Sequence, residues 1–118
     1  MVAMELEPVG RFEWERWIRR LILPPGVKYT ALMAITYGDL DGSRVFPGVE
    51  KLALVMNIGT ASVKRHLKVL RETGLIQRVK QGNRHEGDTD EYRITLPSNL
   101  LDLPMLTPDE QPESGDHS

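Results

Sequence analysis

The order of patterns along the chain predicts a mainly α-helical α+β domain closed by a small β-hairpin. Three observations carry this expectation. Apolar residues recur at three- and four-residue spacings in four successive segments between residues 13 and 73. Each of these segments stops at a Pro, Gly or Asn. The two segments that follow, 75–81 and 90–96, read as strands, and the second alternates apolar with polar residues.

The first helix is expected over residues 13–23. Trp14, Trp17, Ile18 and Leu21 share one face, Arg16, Arg19 and Arg20 fall largely elsewhere, and Pro24-Pro25-Gly26 breaks the pattern. The second helix spans about 27–37, with Val27, Ala31, Ala34 and Ile35 inward. Residues 38–43 form a turn into a short strand at 44–46. Pro47 stands near the start of a third helix, where a missing N–H costs little, and Val49, Leu52, Ala53 and Met56 are its apolar stripe. Asn57 suits the left-handed conformation of a helix end, and Ile58 plugs the core. The fourth helix runs over 60–73, facing inward with Val63, Leu67 and Leu70, and Gly74 ends it. In the last strand Tyr92, Ile94 and Leu96 alternate with Arg93 and Thr95, the mark of a half-buried strand. Between the strands, residues 82–89 are polar and glycine-bounded and read as a hairpin tip. Residues 1–11 are read as a disordered N-terminus, 12–96 as the domain, and 97–118 as an acidic, mostly disordered tail.

Composition narrows the function. Hydrophobic residues make up 40% of the 118 residues, enough for one core. No apolar run approaches the ~18–20 residues of a spanning helix, and no basic-then-apolar leader opens the chain; a soluble, cytoplasmic protein is expected, with no membrane partner. There is no Cys, and the 3 His have no ligand spacing, so no metal or cofactor is expected. No nucleophile–base pair or phosphate loop is visible, so an enzyme is not expected. The net charge of −2 conceals an uneven distribution. Asp102, Asp109, Glu110, Glu113 and Asp116 lie in the tail, with no Lys or Arg beside them, and residues 1–96 carry a net +3. Within 60–84, Lys64, Arg65, Lys68, Arg71, Arg78, Lys80 and Arg84 face only Glu72.

Helix, short strand, helix, tight turn, helix, hairpin is the order of a winged helix-turn-helix with an extra N-terminal helix. Such a turn fixes its second helix so that the outer face is presented to a partner, and the major groove of B-DNA accepts one helix. Thr60, Ala61, Ser62 and Arg65 are then the candidates for base edges. Lys64, Lys68, Arg71, Arg78 and Lys80 are the candidates for phosphates. Arg84 and His85 at the hairpin tip are candidates for a minor groove, set against Glu86, Asp88, Asp90 and Glu91, which repel phosphate. His66 borders the inward stripe and reads as a half-buried packing residue. The stripe of Trp14, Trp17, Ile18 and Leu21 exceeds what one small domain covers easily, so it is a candidate homodimer contact.

Pro47, the Leu52-Ala53 pair, the turn at Asn57-Ile58, the run from Val63 through Arg65 and Leu67 to Leu70, and Gly74-Leu75-Ile76 resemble winged helix-turn-helix proteins of bacterial plasmids, integrative elements and phages. The Trp-bearing segment followed by LPPGVKYTAL is similar to the actinobacterial branch of that group. The resemblance covers about residues 12–96. It implies binding of double-stranded DNA through helix 60–73 and the wing at 75–96, as in a transcriptional regulator of a mobile element or its host. A replication or partition accessory factor fits the same resemblance. Two departures stand out: Gly59 occupies a place where the group often has a capping Ser, and Thr60 and Ala61 stand where basic residues are common. A reading from another class is a winged-helix adaptor that binds protein through the Trp helix and residues 97–106. Asp39, Asp41, Ser43 and Glu50 have the spacing of a calcium loop, but Arg44 replaces its required glycine. A surface turn is the better reading.

Overall fold

The computed structural model describes residues 5–45, 47–82 and 90–107. Among these, four helices, α1 (Arg11–Arg20), α2 (Pro25–Ile35), α3 (Val49–Met56) and α4 (Thr60–Thr73), pack beside an antiparallel sheet. The sheet comprises β1 (Leu6–Pro8), β2 (Ile76–Lys80) and β3 (Glu91–Pro97) in the order β1-β3-β2. The α+β class read from the sequence is therefore the observed one.

Helix ends follow local chemistry. Pro25 starts α2 instead of breaking the chain away from it, because a first helical position has no N–H to lose. Asn57 closes α3 at φ 60° and ψ 43°, and the Ile58 N–H reaches the Ala53 carbonyl at 3.1 Å. Gly74 closes α4 at φ 84°, and Leu75 N–H reaches the Leu70 carbonyl at 2.9 Å. In both cases a left-handed residue lets the chain turn back while the last carbonyls stay bonded. In the turn before α3, Gly42 has φ +86°, and a Cβ there would lie 2.2 Å from the Val9 carbonyl oxygen. Only glycine fits, so this turn lies flat against the sheet, with Ile94 N–H bonded to the Gly42 carbonyl at 3.0 Å. The short strand expected at 44–46 reduces to one bridge between Val45 and Tyr92; Phe46 lies outside the described residues. Asp39 pairs with Arg44, and Asp41 accepts from Ser43, so both carboxylates serve the turn.

Three expectations are corrected. Residues 6–8 are not frayed: β1 pairs with the far edge of β3, Leu6 opposite Pro97. This covers the end of β3, so Thr95 and Pro97 are buried along with Leu96 and the alternation fails there. Nor are residues 97–107 loose. Leu100 is buried in the core, Met105 bridges Leu21, and the Leu106 N–H bonds the Arg20 carbonyl at 2.8 Å. Residues 1–4 and 108–118 lie outside the described residues.

The third correction concerns the Trp stripe. Trp14, Ile18 and Leu21 are at most 1% exposed within a single chain. α2, β3 and the returning C-terminal segment cover them, and no second copy is needed. Trp17 is half-buried beneath the Arg20 guanidinium, 4.9 Å from its ring centre. Trp14 also carries a polar link. Its indole N–H donates to the Leu75 carbonyl at 2.9 Å and to the Thr95 carbonyl at 3.2 Å. Trp14→Phe therefore removes a buried ring and a donor shared by two carbonyls. We expect a loss of about 2–4 kcal/mol in urea denaturation followed by circular dichroism.

Candidate nucleic-acid interface

α4 is two-faced because its apolar residues keep one phase over three turns. Val63, Leu67 and Leu70 are buried, while Thr60, Ala61, Lys64, Arg65 and Lys68 are exposed. Ser62 is half-buried and accepts from the Arg65 guanidinium at 3.1 Å, which draws Arg65 back toward the helix start. The turn 57–59 sets α4 against α3, and α4 also packs on α2. Among the described residues Lys64, Arg65, Lys68 and Lys80 form no salt bridge. Lys64, Arg65 and Lys68 thus leave a cationic ridge open along the outer face of α4. Lys51 of α3 adds a cation missed in the sequence, held 5.1 Å from the centre of the Tyr37 ring. Its phase relative to Val49, Leu52 and Met56 was the available signal. Lys51, Thr60, Lys64 and Arg78, together with the carboxylates Glu50 and Asp90, line an open crevice of about 1190 Å³ between α3, α4 and the hairpin.

Arg71 and Arg78 are placed differently from the other cations. Arg71 is half-buried, with Nη1 3.4 Å from the Tyr92 hydroxyl. Arg78 Nη1 lies 3.4 Å from Asp90 Oδ2. Asp90 Oδ1 accepts the Gly82 N–H at 2.8 Å. Partial burial pushes the Asp90 carboxyl up, but the Gly82 N–H and Arg78 outweigh it and hold the group below its usual range. Burial, then the Asp90 charge, raises the Tyr92 phenol. Asp90 therefore belongs to the hairpin base, not to its tip. β2 and β3 slip in register between Arg78 and Lys80, and Gln77 to Lys80 all face solvent. Arg84 and His85 lie outside the described residues.

His66 packs as its position implied. Its Nδ1 is 2.8 Å from Thr30 Oγ1, and its ring fills the space beside Gly26, where a Cβ would be 2.7 Å away. The Thr30 hydroxyl donates its one proton to the Gly26 carbonyl at 2.8 Å, so it accepts from a protonated Nδ1. Burial first, then the Arg65 charge, lowers the His66 pKa from its ordinary value. α4 begins without a side-chain cap: Gly59 is its N-cap in an extended conformation.

Among the described residues no group of three or more His, Cys, Asp or Glu is placed to hold a metal ion, and no helix is long and apolar enough to cross a membrane. Comparison with family models, curated proteins and solved structures gave no match.

Two predictions follow from this geometry. Gly59 has nothing within 4 Å of an added Cβ and an ordinary extended backbone, so Gly59→Ser supplies the missing cap. A gain of about 0.5–1 kcal/mol is expected in chemical denaturation. For His66, a folded-state pKa below the ordinary value means that the unfolded chain takes up the proton first as pH falls. Its contribution is intact above about pH 6.5 and is lost progressively below it. The melting temperature should drop less between about pH 7.5 and 5.5 in His66→Gln than in the wild type.

Proposed function

We propose that the chain is a winged helix-turn-helix protein that binds double-stranded DNA, with α4 as the recognition helix and β2–β3 as the wing. The observation that carries this reading is the ridge of Lys64, Arg65 and Lys68, in no salt bridge among the described residues, opposite the buried stripe of Val63, Leu67 and Leu70. A helix about 10–12 Å across fits a major groove about 12 Å wide. With its inner face committed to the core, α4 offers a groove an outer face dominated by hydroxyls and cations, with Glu72 its one exposed acid. Thr60 and Ala61, exposed at its start, have the size and chemistry to meet a thymine methyl. Arg65 is the residue for a guanine edge, and Lys64, Lys68 and Lys80 are the phosphate contacts. Regulation of transcription in a mobile element or its host is the role we infer, and a replication or partition accessory role fits the same sequence resemblance. The adaptor reading has less surface to draw on, since Trp14, Ile18, Leu21 and Leu100 are buried in the core, while Leu101 is exposed.

Filter binding across a salt series tests the proposal. Three cations on phosphate predict a slope of log K against log salt of about −2.7 per bound protomer. Lys64→Glu with Lys68→Glu should abolish binding at moderate salt. Lys68→Ala should weaken all sequences alike, and Arg65→Ala should also relax the preference for sites selected from a random pool. Binding that ignores salt, or that survives the double substitution, contradicts the interface.

A further inference from the structure

The base of the hairpin brings an unusual set of donors onto one carboxylate. Asp90 receives the Gly82 N–H on Oδ1, while Oδ2 lies 3.4 Å from both Arg78 Nη1 and the Tyr92 hydroxyl. The Tyr92 hydroxyl is in turn 3.4 Å from Arg71 Nη1. A backbone N–H, a hydroxyl and a guanidinium, with a second guanidinium behind the hydroxyl, are the groups that hold a DNA phosphate elsewhere. Here a carboxylate of the same chain already occupies their focus. The fit is loose: charge-assisted N–H···O bonds run to about 2.7–2.9 Å, and the side chains of Arg78 and Asp90 are 43% and 31% exposed.

We propose that Asp90 is a positioning residue of the interface, standing in the place of a backbone phosphate and withholding Arg78 from DNA. The inference rests on the DNA-binding reading above. It sets the number of cations that the surface offers: Lys64, Arg65, Lys68 and Lys80 are open, whereas Arg78 is already neutralised. Affinity for DNA of any sequence is then held below what the count of basic residues suggests.

Asp90→Asn is the direct test. Asparagine keeps an oxygen to accept the Gly82 N–H and keeps the shape, but it removes the charge that holds Arg78. Filter binding to random and to selected DNA, over a salt series, should show the slope steepen by about 0.9. Affinity at 0.1 M salt should rise roughly eightfold, alike for both DNAs, since a phosphate contact reads no sequence. Arg78→Ala alone should leave the slope unchanged, and adding it to Asp90→Asn should erase the gain. Thermal melts by circular dichroism verify that each variant is folded. A slope unchanged in Asp90→Asn, or a shallower slope in Arg78→Ala alone, overturns the inference while leaving the DNA reading intact. A wild-type protein that binds no DNA at low salt overturns both.

Discussion

The indole N–H of Trp14 donates to two carbonyls at once, one on the residue after α4 and one near the end of β3. Those two residues are themselves joined, Thr95 N–H to the Leu75 carbonyl at 2.9 Å and the Thr95 hydroxyl to the Gly74 carbonyl at 2.7 Å. One side chain of α1 thus ties the C-terminus of α4 to the last strand. Thr95 is wholly buried, and its polar atoms are satisfied only within this cluster. The direction of α4 and the attachment of the hairpin are set by the same few bonds. The outward ridge of α4 therefore depends in part on a buried tryptophan of α1.

The interior and the surface of α4 are held to different rules. Inside, Val63, Leu67 and Leu70 leave no polar group, and the half-buried His66 beside them is matched by a threonine hydroxyl on α2. Outside, Lys64, Arg65 and Lys68 make no salt bridge among the described residues. Leaving them unpaired costs little in water and keeps them available to an anion, whereas the same charges inside would need compensation. The chain spends its acidic residues elsewhere: Asp39 and Asp41 stabilise a turn, and Asp90 tempers the hairpin base.

Much of this was legible because it is local. Asn57 and Gly74 end helices through their own backbone preferences, and the three- and four-residue spacing located every buried residue of α4. What escaped is what distant residues decide. β1 is three residues with no pattern of its own and exists because β3 offers it an edge. The segment after Pro97 looked like a tail because it is rich in Pro and acid, yet Leu100 is buried in the core and Met105 bridges Leu21 at the end of α1. The Trp stripe looked too wide for one domain because α2 covers only part of it, and β3 and the C-terminal segment that cover the rest come from the far end of the chain. For the candidate site, the phase of α4 sorted open cations from buried apolar residues. It did not show that Arg71 and Arg78 have partners, because Asp90 and Tyr92 come from across the hairpin.

The sheet order β1-β3-β2 also bears on how the domain is made. The first strand cannot pair until the last has left the ribosome, and the Trp14–Thr95 bond closes a loop of 81 residues. Closing so long a loop is entropically unfavourable until nearly all other contacts exist. During synthesis the helices emerge first, with one side of α1 uncovered and the end of α4 not yet tied to β3. The nascent chain thus acquires its basic residues well before it acquires the arrangement that presents them.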